Sequence, residues 1–317
     1  MPEPSYDAVL MMTYGGPESP DEVRPFLDNI LRGKPVPPQR IEEVVEHYRL
    51  IGGKSPINEL TFAQADRLGA ELADAGTPLP VYVGMRYWRP RLADTLREMA
   101  DSGIRRAIGV ILAVQQCDSS WQQYQREVAE ARRAVGPEAP QVDFLDGWHD
   151  HPLFIQAVVD HVREALDGLP GDRREHARIV FTAHSIPLDM DGADTYVQQV
   201  GEGAKRVMEA LGRSRWSVAY QSRTGNPRDP WLEPDICGAL TGFARVGETA
   251  AVLVPIGFVC DHVEVLYDLD IEARQAAKAV GMAVTRAKTV GTHPAFIRMF
   301  VELIAERCAR NQQAAGK

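Results

Sequence analysis

The sequence predicts an α/β protein with two parallel sheets, each of four strands and flanked by helices. Two observations predict this class. Short apolar runs alternate with helix-like stretches along nearly the whole chain, and these runs fall into two sets of four. The chain has 317 residues, which is more than one domain of ordinary size requires. We therefore expect two α/β domains with a cleft between them.

The apolar runs are the predicted strands. In the first half they read DAVLMMTY, PVYVGMRY, AIGVILAV and QVDFLDG, and in the second half RIVFTA, SVAYQS, AAVLVPIGF and AVTRAKT. Between them, Ser19 and Pro20 begin one predicted helix, and a proline begins the last one. Glycines stand where helical stretches end, as C-terminal caps do, at Gly76, Gly136, Gly212 and Gly281.

A domain boundary is predicted near the segment GWHDH at residues 147 to 151. It divides the chain into domains 1–147 and 148–317. No low-complexity linker separates them, so we expect the two halves to share an interface. The last predicted helix, at about residues 293–311, is free to pack on the N-terminal domain.

The composition excludes several classes of protein. A net charge of -9 and a pI near 5.5 argue against non-specific binding of nucleic acids or anionic membranes, because such partners repel an acidic surface. No apolar run approaches the length of a membrane span, and no export signal is evident, so we expect a cytoplasmic protein. The four cysteines lack C-x-x-C spacing, and we expect no disulfide among Cys117, Cys237, Cys260 and Cys308.

Two predicted strand ends carry residues that a hydrophobic core does not require. His184 follows the run ARIVF in the segment TAHSIP, and the run AVLVPIGF continues into VCDHVEVLYDLDIEA. In open parallel sheets, ligands bind outside the carboxyl ends of the strands, so we expect these segments to converge. For His184 alone, the alternative is a histidine that hydrogen-bonds within a turn.

The acidic segment holds three carboxylates at a regular spacing. If residues 261–281 form a helix, Glu264, Asp268 and Glu272 lie at i, i+4 and i+8 and make one line. The first basic residue after them is Arg274, so interleaved cations do not offset their repulsion. Such a line is typical of a route for a hard cation or of a proton relay, and a solvated helix face is the alternative.

The N-terminal half offers a third group of candidates. Tyr14 ends the first predicted strand, and the two glycines after it allow a ligand close to the backbone. The cations and hydroxyl groups that follow suit carboxylate groups of a ligand, although a basic surface without a ligand is the alternative. These residues are Arg32, Lys34, Tyr48, Arg49, Lys54 and Ser55.

Taken together, the segments TYGGPES, YRLIGGKSP, AHSIP and PIGFVCDHVEVLYDLDIEA resemble the ferrochelatase family, whose members insert iron(II) into a porphyrin. The similarity runs in order from about residue 7 to about residue 310. AHSIP alone is a weak signal, whereas the long D-H-x-E-V-L-Y-D-x-D element is specific. The resemblance implies two Rossmann-like domains, each with a four-stranded parallel sheet, and a porphyrin cleft between them.

The resemblance also implies roles for individual residues. His184 matches the histidine held to be a metal ligand or a proton acceptor, and Glu264 matches its acidic partner across the cleft. Asp268 and Glu272 match the acids that lead away from this site. A neutral imidazole near its ordinary pKa can take a pyrrole proton at neutral pH.

Tyr14 indicates which porphyrin the enzyme uses. Members that act on protoporphyrin at membranes usually carry Met at this position. Cytoplasmic members that act on coproporphyrin carry Tyr, which can approach the iron of the bound product from the face opposite His184. The resemblance thus implies insertion of Fe²⁺ into coproporphyrin III to give coproheme in heme biosynthesis.

The implied partners follow from this reaction. Fe²⁺ is a substrate, no permanently bound cofactor is expected, and a downstream enzyme of heme synthesis is a further partner that the resemblance suggests. We expect the porphyrin and its propionates to be bound by Tyr14, Arg32, Tyr48, Arg49, Ser55 and Tyr124.

The chain departs from the family pattern in two places. Tyr87 stands in RYW, where some relatives have a histidine, and this puts a second histidine ligand in doubt. Other relatives bind a [2Fe-2S] cluster through closely spaced C-terminal cysteines and one upstream cysteine. Cys117 matches the upstream position, but the C-terminus offers only Cys308, so we expect no cluster.

Three alternatives stay open. They are a ferrochelatase for protoporphyrin IX, a related cobalt chelatase and a non-catalytic tetrapyrrole carrier. Cobalt chelatases typically present a pair of histidines, and His262 near Glu264 keeps this alternative open. For a carrier, substitution of His184 should leave the function largely intact.

Overall fold

The computed structural model describes residues 6–33, 36–224 and 229–315, and its first half contains a four-stranded parallel sheet. The strand order in this sheet is β2-β1-β3-β4. The strands are β1 (Ala8–Thr13), β2 (Val81–Met85), β3 (Arg106–Ile111) and β4 (Gln141–Phe144). The helices that connect them are α1 (Val23–Leu31), α2 (Pro38–Leu50), α3 (Ile57–Asp74), α4 (Leu92–Asp101) and α5 (Gln123–Val135).

The second half repeats this topology with the strand order β6-β5-β7-β8. The strands are β5 (Arg178–His184), β6 (Trp216–Gln221), β7 (Ala250–Val254) and β8 (Ala283–Arg286). The helices are α6 (Pro152–Asp167), α7 (Gly171–Arg174), α8 (Ala193–Leu211), α9 (Ile236–Arg245), α10 (Val263–Leu266), α11 (Arg274–Ala279) and α12 (Pro294–Ala315). The predicted fold class, with four strands in each of two parallel sheets, is confirmed.

The central strands are buried along their length, which explains their unbroken apolar sequences. Every residue of β1 is buried, because the strand pairs in parallel with β2 on one side and β3 on the other and helices cover the sheet. The predicted glycine caps also adopt the expected geometry. All four have positive φ, at Gly76 (76°), Gly136 (104°), Gly212 (64°) and Gly281 (71°).

The prediction of one regular helix over residues 261–281 is wrong. The segment consists of α10, a π-helical stretch at Asp268–Ala273 and α11. In the π-helical stretch, the amide of Glu272 donates to the carbonyl oxygen of Tyr267, five residues back, at 2.9 Å. The apolar and polar pattern alone does not distinguish this local widening from an α-helix.

The last helix joins the two halves. α12 packs against α3 of the first half and α6 of the second. Trp148, between the halves, lies 5.4 Å from Phe154 on α6, 5.7 Å from Phe296 and 5.5 Å from Phe300 on α12, measured between ring centroids. One hydrophobic cluster therefore extends through both halves. The division into domains 1–147 and 148–317 stays a prediction.

Two further findings concern the membrane and the cysteines. Among the described helices, none combines the length and apolarity that crossing a bilayer requires. All four cysteines carry free thiols, of which Cys117 and Cys260 are buried and Cys237 and Cys308 are partly exposed.

Replacing Phe296 with Ala should lower the free energy of unfolding by about 3–5 kcal/mol, because it removes a fully buried ring from the cluster around Trp148. Urea unfolding followed by circular dichroism measures the change. Val246→Ala is the control, since Val246 is 76% exposed and should shift the value by less than about 0.5 kcal/mol. A loss below about 1 kcal/mol for Phe296→Ala would contradict the described packing of α12.

Candidate active site

The carboxyl ends of the two central strands carry the candidate residues. β1 pairs with both β2 and β3, and β5 pairs with both β6 and β7. The next strand of the chain therefore lies on one side of each central strand, and the strand after that lies on the other side. Ligands of open α/β sheets bind at such points. Tyr14 directly follows β1, and His184 is the last residue of β5.

His184 and Glu264 form a pair at the end of the second sheet. Nε2 of His184 lies 3.6 Å from Oε1 of Glu264, which is carried by α10 after β7. Nδ1 of His184 contacts the carbonyl oxygen of Ser185, and the hydroxyl group of Tyr196 donates to the carbonyl oxygen of His184 at 2.9 Å. The two side chains remain 32% and 34% exposed, so a ligand can reach them.

Two opposing effects set the charges of this pair. Burial favours the neutral form of each group, but the opposite charge outweighs it. The Glu264 carboxylate raises the pKa of His184 to about 9, and the imidazolium lowers the pKa of Glu264 to about 2. The two groups titrate together, and at neutral pH His184 already carries a proton. This differs from the neutral imidazole expected from the sequence, because the sequence does not reveal the distance to Glu264.

Asp268 continues the line of carboxylates from Glu264. Its side chain is buried, and burial raises its pKa to about 7; the hydrogen bond from the hydroxyl group of Ser222 opposes this rise, and the charge of Glu264 adds to it. A carboxyl group that titrates near neutral pH can both take up and release a proton. Glu272, at the outer end of the line, is exposed. The three carboxylates therefore lead from the site to the surface.

The end of β6 supports this line with two residues that sequence reasoning missed. The side-chain amide of Gln221 donates to the carbonyl oxygen of Glu264. Ser222 has a φ of 63°, and in the described part of the chain it is the single non-glycine residue with a positive value. The available signal was the position of Gln221 and Ser222 at a strand end, in the run SVAYQS.

The first half forms the wall of the site opposite His184 and Glu264, and the rings of Tyr14 and Tyr87 belong to this wall. The ring of Tyr14 is 38% exposed and lies 4.6 Å from the ring of Tyr87 and 6.4 Å from that of Phe26. Burial raises the pKa of both Tyr14 and Tyr48, and the charge of Glu264 raises each pKa further. The charge of Glu264 in the second half therefore acts on two phenols of the first half.

One aromatic contact joins the two walls at their edge. The ring of His47 on α2 stacks on the ring of Tyr267, with centroids 3.6 Å apart and planes 12° apart. His47 immediately precedes Tyr48, and Tyr267 immediately precedes Asp268. The stack therefore links the hydroxyl-bearing wall to the carboxylate line.

The residues expected to bind the propionates differ in their exposure and in their partners. Ser55 is buried and lies so close to Gly16 that an added Cβ there would come within 2.7 Å of the Ser55 Cβ. Arg32, at the end of α1, is exposed and donates to Asn29 at 3.2 Å. Arg49 is exposed and ion-paired with Glu46 at 2.5 Å. Lys34 lies outside the described residues.

Tyr124 is a further residue expected to bind the porphyrin or its propionates, and this assignment stays a prediction. It is buried on α5, and its ring centroid lies 4.8 Å from the guanidinium carbon of Arg86. Sequence reasoning missed Arg86, whose side chain is only 6% exposed. The signal available for it was a cation near the end of the predicted strand PVYVGMRY, directly before Tyr87.

Comparisons with known proteins show the family of this chain. The family model for ferrochelatase matches residues 6–308. The coproporphyrin III ferrochelatase of Mycolicibacterium smegmatis is 45% identical over 305 residues, covering 95% of this chain and 90% of the relative. That of Nocardia farcinica is 45% identical over 308 residues, covering 95% and 88%.

Solved structures show a similar fold at lower sequence identity. The sirohydrochlorin chelatase SirB from Bacillus subtilis subspecies spizizenii, in complex with cobalt, has a TM-score of 0.58 at 12% identity and covers 97% of either chain. This likeness concerns the fold alone. Because the family model and the relatives extend over nearly the whole sequence, the chain belongs to the ferrochelatase family.

Proposed function

We propose that this chain inserts Fe²⁺ into coproporphyrin III and releases coproheme for heme biosynthesis. The observation that carries the proposal is the His184–Glu264 pair, with its atoms 3.6 Å apart, within electrostatic reach of Tyr14 on the other half. Similarity to relatives named coproporphyrin III ferrochelatase supports the choice of porphyrin. Tyrosine rather than methionine at position 14 supports the same choice.

The proton chemistry follows from the stoichiometry of the reaction. One Fe²⁺ ion replaces two pyrrole N–H protons, so the site must accept protons as the metal enters. His184 is already protonated in its pair with Glu264, and it can accept a pyrrole proton only after passing its own proton on. Glu264 is the adjacent acceptor, and Asp268, with a pKa of about 7, is the next group on the line. We assign to these carboxylates, with Glu272 at the surface, the exchange of protons with solvent.

The donor set suits an ion that must be handed on. Imidazole nitrogen and carboxylate oxygen bind Fe²⁺ without the strong hold of several thiolates. Over the described ranges of the chain, no group of three or more His, Cys, Asp or Glu side chains converges closely enough to hold a metal. We propose that Fe²⁺ meets Glu264, and His184 once His184 has passed its proton on, as a passing substrate.

We also propose that activity does not require a [2Fe-2S] cluster. Sγ of the buried Cys117 lies 3.3 Å from the hydroxyl oxygens of both Ser119 and Ser120. Cys308 is the single cysteine of α12. The closely spaced C-terminal cysteines that the cluster-binding relatives use are therefore not present in the sequence of this helix.

The porphyrin carboxylates are assigned to the first half. Arg32 is well placed to pair with a propionate, because its partner is the neutral side chain of Asn29. Arg49 would first have to leave Glu46, which costs little because both side chains are exposed to solvent and water screens their attraction. We propose that the hydroxyl groups of Tyr48 and Ser55 complete the binding of the ring.

Anaerobic assays with Fe²⁺ should give a kcat/KM for coproporphyrin III at least about tenfold higher than for protoporphyrin IX, because the additional propionates form charge-assisted hydrogen bonds. Porphyrin absorption measures both rates side by side. Equal or better use of protoporphyrin IX would contradict the assigned substrate. Efficient insertion of Co²⁺ but not Fe²⁺ would instead favour a cobalt chelatase.

Substituting His184 with Ala should lower kcat for coproporphyrin III at least about 100-fold, because it removes the first proton acceptor. Coproporphyrin affinity, measured by fluorescence quenching, should change less than about threefold, since the propionate contacts lie on the other wall. His176→Ala is the matched control, because His176 is exposed before the start of β5. Undiminished turnover in His184→Ala would contradict the mechanism. If the wild-type protein itself binds coproporphyrin III but does not turn it over, the chain is a carrier.

A further inference from the structure

Arg86 lies directly behind the wall that carries Tyr14. The pairing of β1 with β2 continues past both strands, since the amide of Arg86 donates to the carbonyl oxygen of Thr13 at 3.1 Å. The amide of Tyr87 likewise donates to the carbonyl oxygen of Tyr14 at 3.0 Å. The backbone of Arg86 and Tyr87 is therefore fixed beside that of Tyr14.

Every nitrogen of the Arg86 guanidinium group has a partner. Nε donates to both carboxylate oxygens of Glu127 at 3.1 and 3.2 Å, one terminal nitrogen donates to the carbonyl oxygen of Ser119 at 3.1 Å, and the other donates to the hydroxyl oxygen of Tyr87 at 3.1 Å. A buried charge requires such compensation, and the planar fork of arginine meets three partners in one fixed orientation.

Three tyrosine rings surround the same guanidinium group. Its carbon lies 4.8 Å from the centroid of Tyr124, 5.0 Å from that of Tyr87 and 5.9 Å from that of Tyr14, all within the range of a cation–π contact. Tyr87 is thus held by Arg86 at both its hydroxyl group and its ring. Because the Tyr87 ring packs against Tyr14 at 4.6 Å, the position of Tyr14 depends on Arg86 directly and through Tyr87.

We propose that Arg86 is a positioning residue for iron insertion, which holds Tyr14 and Tyr87 as one rigid wall so that Tyr14 meets the iron of the product opposite His184. The proposal rests on the proposed function and deepens it. Arg86 does not touch the iron, and it acts through the two tyrosines. A lysine retains the charge but cannot reach Glu127, Ser119 and Tyr87 at once.

The test is a titration of ferric coproheme III into the full-length wild-type protein and three variants, Tyr14→Phe, Arg86→Lys and Arg24→Gln. Absorption and electron paramagnetic resonance spectra report the ligand of the iron. Tyr14→Phe should change the wild-type spectrum, and Arg86→Lys should shift it toward that of Tyr14→Phe. Arg86→Lys should also lower kcat/KM for coproporphyrin III by about 10- to 100-fold, because the tyrosine is misplaced.

Arg24→Gln is the matched control, because Arg24 is 57% exposed and pairs with Glu42 on the surface. It should keep the wild-type spectrum and rate. Circular dichroism checks the folding of each variant. If Arg86→Lys does not fold, Glu127→Gln retains the arginine and removes its carboxylate anchor, and a smaller shift in the same direction is expected.

Three results have distinct meanings. Wild-type spectra and rates in both Arg86→Lys and Glu127→Gln would overturn the positioning role while leaving the proposed function intact. A Tyr14→Phe spectrum identical to that of wild type would overturn the role of Tyr14 and, with it, this proposal. Absence of iron insertion by the wild-type protein would contradict the proposed function itself.

Discussion

The candidate site depends on one constraint, which is that the carboxyl ends of β1, β5 and β7 open toward the same space. Two sheets of identical strand order provide these ends, and α12, which packs on both α3 and α6, fixes their separation. Gln64 adds a direct tie, because its side-chain amide donates to the carbonyl oxygen of Gly291 at 2.8 Å. Residues from distant parts of the chain can therefore act on one ligand without a mobile connection between them.

The two walls of this space differ in chemistry. The second half presents His184 and a line of carboxylates, which suit protons and a hard cation. The first half presents phenol rings over an arginine whose charge is already compensated by Glu127. A flat aromatic ligand can rest on the phenol rings without competing with the carboxylates for the metal. The proposed mechanism accordingly assigns the binding of the ring to the first half and the movement of protons to the second.

The fold could be predicted from the sequence because its evidence is local. Apolar runs, capping glycines and the histidine after ARIVF each lie within a few residues of the feature that they indicate. The line from Glu264 to Glu272 was also predicted, although from a continuous helix that the structure does not contain. Arg86 could not be predicted in this way, since its partners stand at positions 14, 87, 119, 124 and 127. Its role depends on how distant segments meet.

The contact between Ser222 and Asp268 shows how the site differs from a region built for stability. Ser222 adopts a backbone conformation that is unfavourable for a residue with a side chain. Asp268 has its pKa raised from 3.8 to about 7, so the folded state binds a proton that the unfolded state has already released between these values. By linkage, this group lowers stability as the pH rises through that window, and the whole loss is present above about pH 7. A hydrophobic residue in place of Asp268 would avoid the second cost. Both costs fall at one contact beside Glu264, and a carboxyl group with a pKa of about 7 can exchange protons near neutral pH.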